Sequence, residues 1–298
     1  MIEHYMRVTK MYASAVGIWP HQSPVRKNIL RIYINVMVVL SLITQISRVV
    51  LYASTDSLVD QIPFLGVAVA TFVKYSNYQF NDVKFRKLFD SMSNDWQNKM
   101  TEDEMTIMQK YGDRGVFFIF IYIVNAYVCI AAFLLRPLVP KAMDLIMPLN
   151  ESRHRMEMYP AYYFTDNPDK YYYGIIIFTT MCTITAMSVF VASDTLLIYS
   201  VQHVCGLLAL TGSRFKYSLD SLYSLTDDTN VDNERLYKNV CDAINSHKRA
   251  FAYITEIESA YAINLFVQVG VVIISFTITL FQGVSFIQFL GARGAPIG

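Results

Sequence analysis

Between Arg114 and Arg136 the chain carries no charged side chain. The intervening run, Gly115 to Leu135, reads GVFFIFIYIVNAYVCIAAFLL and is 21 residues long. As a helix rising about 1.5 Å per residue it matches a hydrocarbon core about 30 Å thick. The rest of the sequence leans the same way. Of its 298 residues, 54% are hydrophobic and only 16% are charged, and mean hydropathy is +0.31. Soluble domains carry roughly 25% charge. Disorder is excluded by 19 Phe, 21 Tyr and long aliphatic runs. A net charge of +1 argues against a bulk nucleic-acid partner.

Four further apolar runs accompany this one. Lys170 and Asp194 bracket an uncharged stretch from Tyr171 to Ser193. Another begins after Glu258 and continues to Ala292. Ile32 to Ala53 is interrupted only by Arg48, near its end, where a long side chain can snorkel to the interface. Ile62 to Phe80, the weakest of the five, contains Lys74. The first 28 residues hold five charges and no apolar core of a signal peptide, so the first span is expected to act as its own insertion signal.

Lys and Arg in the connecting segments set the expected orientation. The amino-terminal side collects seventeen of them and the opposite side five. The amino terminus is therefore expected in the cytoplasm. The sequon Asn150-Glu-Ser152 falls in a loop this count places outside, making Asn150 a candidate glycosylation site.

From Tyr171 to Ser213 the only formal charge is Asp194. As one helix those 43 residues would extend about 64 Å. A hairpin of two spans is the alternative. No Pro or Asn-Gly separates the halves, and a hairpin would move the basic segment after Arg214 outside, so one helix leaving the bilayer near Asp194 is preferred. Such an extension needs a partner to cover its Leu and Val side chains. Asn233 to Glu258 is the candidate, with Leu236, Val240, Ala243, Ile244, Phe251, Ile254 and Ile257 expected on its packed face.

The expected fold class is all-α, a polytopic helical membrane protein. The expected organisation is a cytoplasmic segment at 1–31, a helical bundle at 32–290 and a tail at 291–298. Within the bundle, spans lie near 32–53, 62–80, 115–135, 171–193 and 259–282, with a cytoplasmic helical extension at 194–258.

Enzyme signatures are missing. None of the five His begins an H-E-x-x-H, the four Cys show no C-x-x-C, and there is no phosphate-binding glycine loop. No cofactor or metal is expected, and His203 and His247 read as polar residues of a cytoplasmic helix. Asp228-Thr-Asn-Val-Asp232 begins like a calcium loop but lacks its Gly and its final Glu, so Thr226 to Glu234 reads as a solvated linker. Asn167-Pro-Asp-Lys-Tyr171 and Asp113-Arg114 imitate motifs of G-protein-coupled receptors, but stand at the wrong ends of the wrong spans.

Several segments taken in order resemble the insect odorant receptor family. The strongest is Ser193-Asp-Thr-Leu-Leu-Ile-Tyr-Ser-Val-Gln-His-Val-Cys-Gly206. Tyr159-Pro-Ala-Tyr-Tyr-Phe164 with Tyr171-Tyr-Tyr173 looks like the second outer loop of hymenopteran members. His247, Glu256, Glu258 and Phe266-Val-Gln268 resemble the entry to the fifth span, and Lys74 and Val16-Gly-Ile-Trp-Pro20 also fit. The resemblance covers residues 10 to 282, and its specificity lies in the order of the segments.

The resemblance implies a seven-helix bundle of inverted topology, with its amino terminus in the cytoplasm, in the plasma membrane of sensory neurons. It implies a ligand-gated cation channel that works as a tetramer with a co-receptor. A volatile odorant would enter an apolar pocket in the outer half of the bilayer, between spans two, three, four and six. The cytoplasmic ends of spans four to seven would form an anchor, and the seventh span would line the pore. Against that pattern Gly291 to Gly298 matches nothing, and five of seven spans are present. The expectation is a carboxy-terminally truncated member without the pore helix.

An odorant offers little polarity, so its site should be apolar and aromatic with a few hydroxyls. The candidates are Phe64, Ala68 and Phe72 on span two, Asn125, Cys129 and Phe133 on span three, and Thr180, Ile184 and Met187 on span four. Each also reads as ordinary packing or a lipid-facing side chain, and Asn125 as a hydrogen bond to a neighbouring helix. Tyr159 to Tyr173 reads either as a cap on the pocket or as an interfacial aromatic belt. Other readings stay open: a non-conducting truncated isoform that pairs with full-length subunits, or a gustatory-type chemoreceptor. A transporter fragment is disfavoured, since no internal repeat appears and no Pro lies within spans three to five.

Overall fold

The computed structural model describes residues 2–97, 100–149, 151–224 and 233–294, and places helices but no strand among them. In chain order they are α1 (Ile2–Ala15), α2 (Pro24–Leu51), α3 (Thr55–Phe80), α4 (Asp82–Gln97), α5 (Glu102–Leu135), a short 3-10 turn (Arg136–Leu138), α6 (Val139–Ile146), α7 (Tyr172–Ser224) and α8 (Asn233–Gly294). Five segments among the described residues are long and apolar enough to cross a membrane: Pro24–Leu51, Ser57–Phe80, Glu102–Ile146, Tyr172–Asp220 and Leu236–Ser285. Asn150, residues 226–232 of the expected linker and the last four residues of the tail lie outside the described residues, while Asn233 and Glu234, expected in that linker, begin α8.

The helices outrun the apolar stretches that announce them, and local chemistry sets their ends. Ser54 Oγ accepts the Ser57 amide at 3.2 Å and caps α3 seven residues before its apolar run begins. The segment at 81–114, a loop by its charge, contains α4 and the first turns of α5. Thr101 and Glu104 form a reciprocal capping box there: Thr101 N donates to Glu104 Oε2 at 3.0 Å, and Glu104 N donates to Thr101 Oγ1 at 3.3 Å. Asn167-Pro168 is a turn into α7, with Lys170 N on Asn167 Oδ1 and Tyr171 N on Pro168 O. The region from Tyr172 to Ser224 is one helix of 53 residues.

The chain divides into two compact units. The first comprises 1–23, 78–124 and 191–262; the second comprises 24–77, 125–190 and 263–298.

In the first unit α1 stops at Gly17, whose φ of 69° is a left-handed conformation suited to glycine. The turn brings Trp19 against Phe89, ring centroids 5.4 Å apart. Helix α4 buries Phe85, Leu88, Phe89, Met92 and Trp96, an i, i+3, i+4, i+7 pattern that produces one apolar face. Tyr78 stacks on Phe85 at 4.2 Å, and its hydroxyl lies 3.1 Å from that of Tyr261. Asp194 accepts a 2.6 Å hydrogen bond from Tyr122. The packed face of α8 matches the expected one in part: Ala243 is buried and Leu236, Val240, Ile254 and Ile257 are partly buried, but Ile244 and Phe251 are exposed, and Ala250, Tyr253, Ala260 and Tyr261 are buried beside the expected positions. The apolar positions span more than one face, and alanines let helices approach where branched side chains would hold them apart.

In the second unit Gly66 of α3 admits close approach of α8. A Cβ added there would meet Val271 Cγ1 at 2.9 Å. Lys74 is fully buried, with Nζ 4.4 Å from the centroid of the Phe190 ring. Gln61, also fully buried, donates from Nε2 to Gln45 Oε1 at 3.2 Å, a side-chain bond between α3 and α2.

Candidate functional site

The second unit holds a partly open cavity of about 320 Å³. Each contributing helix presents positions one turn apart, as the 3.6-residue period requires. Helix α2 supplies Ser41 and Gln45, and α3 supplies Pro63, Phe64, Val67 and Ala68. Helix α5 supplies Cys129, Ile130 and Phe133, and α7 supplies Cys182, Thr183, Ala186 and Met187. Tyr159 contributes from the loop between α6 and α7. None of these side chains is charged.

That loop is folded onto the helices. Met158, Tyr159 and Ala161 are buried and pack with Phe64, Phe133, Leu134, Tyr163 and Ile176. Tyr162 N donates to Thr44 O at 3.0 Å, which ties the loop to α2. Arg136 Nη1 donates to Met158 O at 2.8 Å, and the same guanidinium lies 5.7 Å from the centroid of the Phe64 ring. Burial pushes the Tyr159 phenol well above its ordinary pKa, so it stays a neutral hydroxyl. Burial also raises the Glu157 carboxyl, with Arg48 pulling against it.

Of the nine expected ligand residues, the cavity gathers Phe64, Ala68, Cys129, Phe133 and Met187. Phe72 lies one turn beyond it on α3 and is exposed. Asn125 lies one turn before Cys129 on α5 and is likewise exposed. Ile184 is exposed on α7, on the side away from the Cys182–Ala186 face. Thr180 is half-buried and lies 3.8 Å from Met158 Sδ, beneath the loop rather than in the lining. On α7 Met187 lines the cavity but Thr180 and Ile184 do not, because the lining face runs through Cys182, Thr183 and Ala186. Ser41 and Gln45 were missed altogether, because a polar side chain in span one carries no sequence signal of the side it faces. The aromatic loop did carry one, since Tyr159 begins the segment read as a possible cap.

The first unit holds a second polar constellation. His203 Nε2 lies 2.9 Å from Asp95 Oδ2, with both side chains almost wholly buried, and Arg249 pairs with the other carboxylate oxygen. The His203 ring stands 5.3 Å from that of Tyr253. This links α4, α7 and α8 through one carboxylate, with His203 a buried hydrogen-bond partner of Asp95. Nearby, Arg214 Nε bonds Glu104 Oε1 at 2.6 Å. Burial raises the Glu104 carboxyl, but Arg214 and Thr101 outweigh it and hold the pKa below the usual value. Among the described residues no three His, Cys, Asp or Glu side chains come together as a metal site.

The solved insect olfactory receptor OR5 from Machilis hrabei is similar to this chain with a TM-score of 0.64 and 14% identity, over 92% of this chain and 70% of that one. The same receptor in complex with eugenol gives 0.66 and 15%, over 90% and 68%. No curated protein matches the sequence. The family described as 7tm Odorant receptor matches residues 54–291. That stretch covers well over half of the sequence, and the chain belongs to the 7tm odorant receptor family.

Proposed function

We propose that the chain is the odorant-binding subunit of a ligand-gated cation channel in the plasma membrane of sensory neurons, with its amino terminus in the cytoplasm and a co-receptor as partner in a hetero-oligomer. The observation that carries this reading is the uncharged, largely apolar cavity of about 320 Å³ inside a member of an odorant receptor family. Its volume sits at the small end of ligand pockets, about 300–1,000 Å³. A related receptor has been solved with eugenol. The spans near 32–53, 62–80, 115–135, 171–193 and 259–282 then cross the bilayer, and 194–258 extends into the cytoplasm. Asn150 falls on the outer side, where an attached glycan checks the orientation.

A bound odorant opens a channel only by binding the open arrangement more tightly than the closed one. The test is to co-express the chain with a co-receptor, record odorant-evoked cation current, and repeat with Ala68→Phe, which fills the cavity. Odorant-evoked current that Ala68→Phe abolishes, with surface expression unchanged, supports the proposal. Current indifferent to Ala68→Phe moves the ligand elsewhere. Odorant binding without current identifies a non-conducting subunit.

A further inference from the structure

The cavity has five polar side chains in its lining: Ser41, Gln45, Tyr159, Cys182 and Thr183. Four of them are engaged within the protein. Gln45 Nε2 donates to Ser41 Oγ at 3.0 Å, and Gln45 Oε1 accepts from Gln61 at 3.2 Å. Thr183 Oγ1 donates back to Thr179 O at 2.8 Å, and Cys182 Sγ lies 3.8 Å from Met37 O. The fifth is different. Tyr159 is only 5% exposed, and its hydroxyl, next to Ser41 and Cys182, meets no partner at full hydrogen-bond geometry. A buried hydroxyl left in this condition is disfavoured relative to one with a partner.

We infer that the Tyr159 hydroxyl selects ligands by donating a hydrogen bond to a neutral acceptor oxygen, so that the cavity prefers a ketone, ester or ether to a hydrocarbon of the same shape. The inference rests on the cavity being the ligand site. Three features support it. The donor is held in place by a loop anchored at both Arg136 and Thr44. No cation lines the cavity, so a carboxylate would enter without compensation for its lost hydration. Aromatic side chains Phe64 and Phe133, with centroids 6.1 Å apart, offer the apolar part of a ligand its contact surface. A site built to hydrogen-bond one group rejects the analogue that lacks it, because the buried donor is then stranded.

The experiment uses the full chain in lipid nanodiscs and a pair of probes differing only in C=O against CH2, acetophenone and ethylbenzene. Affinities are compared for the wild type, Tyr159→Phe and Tyr172→Phe; the Tyr172 hydroxyl bonds Met156 O in the same loop, away from the cavity. The expected result is acetophenone bound about tenfold more tightly by the wild type, the value of one net hydrogen bond. Tyr159→Phe brings that ratio close to one with ethylbenzene affinity unchanged, and Tyr172→Phe keeps it. A wild-type ratio near one, or a ratio that survives Tyr159→Phe, overturns the inference while leaving the cavity as a ligand site. Binding of neither probe overturns both. The wild-type ratio needs no variant, so the test stands even if Tyr159→Phe folds poorly.

Discussion

Removing the Asp95 carboxylate should unlock the first unit. Asp95 is 2% exposed, accepts from His203 at 2.9 Å on one oxygen and pairs with Arg249 on the other. In Asp95→Ala the two partners fare differently. Arg249 is half-exposed at its side chain and recovers much of its hydration. His203 has a side chain only 1% exposed and cannot. The loss therefore contains a stranded imidazole N–H, about 1–3 kcal/mol, and a charge-assisted hydrogen bond, about 1.5–3 kcal/mol. Together they fall near the ~3–5 kcal/mol of a buried pair broken on one side. Replacing both partners by apolar groups should cost less than the single change, so Asp95→Leu with His203→Phe should recover part of the loss. Equilibrium unfolding of the purified chain in nanodiscs or detergent, run as a double-mutant cycle, measures both quantities. An Asp95→Ala loss below about 0.5 kcal/mol, the range of ordinary surface changes, would refute the reasoning. So would strict additivity of Asp95→Leu and His203→Phe, because additivity means the two groups do not share an interaction.

Three further outcomes follow from particular contacts. Glu104 has its folded pKa held below its unfolded value by Arg214 and Thr101, so its contribution to stability is present above the unfolded pKa and is lost as pH falls through the folded one; melting curves on the acid side should show that loss, and Arg214→Ala should flatten it. Gly66→Leu should push α3 from α8 by driving a side chain into Val271 and Ser275, costing about 1–3 kcal/mol with Gly66→Ala milder, as read by unfolding midpoints. Arg136→Ala removes the bond to Met158 O, worth about 1.5–3 kcal/mol, and should speed amide hydrogen exchange in residues 156–164 by at least tenfold while exchange in α4 stays unchanged.

The all-helical membrane architecture was legible because it rests on one-dimensional quantities. An uncharged run of 21 residues between two arginines, or 43 residues with a single Asp, states its length and polarity without reference to neighbours. The packed faces were not legible to the same degree. On α8 Ala243 was assigned inward and is buried, but the large residues Ile244 and Phe251, assigned to the same face, are exposed, and Ala250 and Ala260 are buried instead. In that extension the apolar positions span more than one face, and within the spans hydrophobicity does not separate core from lipid, because lipid is as apolar as the core, so Phe72 and Ile184 can be exposed there. Helix α4 shows the contrast. Its other face is charged, and its buried apolar residues Phe85, Leu88, Phe89, Met92 and Trp96 keep to one helical face, with Asp95 the buried charged residue beside them.

The same blindness explains why the site was only partly readable, and it bears on which polar residues deserve weight. A count of hydroxyls in the spans overstates the polarity offered to a ligand. Thr71, Thr179, Thr183, Ser188, Thr195 and Ser200 each return a hydrogen bond to the carbonyl four residues earlier, at 2.7 to 2.9 Å. Such hydroxyls are consumed by their own helix and present mainly a carbon face to whatever lies beside them. Thr180 was chosen from sequence for its hydroxyl, yet it lies against Met158 outside the cavity. A tyrosine in a loop has no preceding turn to bond. When the loop is folded inward, as Arg136 and Thr44 hold this one, its hydroxyl arrives in an apolar space with its hydrogen uncommitted. If the cavity is the ligand site, as proposed, its polar selectivity comes less from the spans that form its walls than from the loop that closes it, and substitutions between residues 156 and 164 should alter ligand preference more than exchanges of Ser or Thr within the helices.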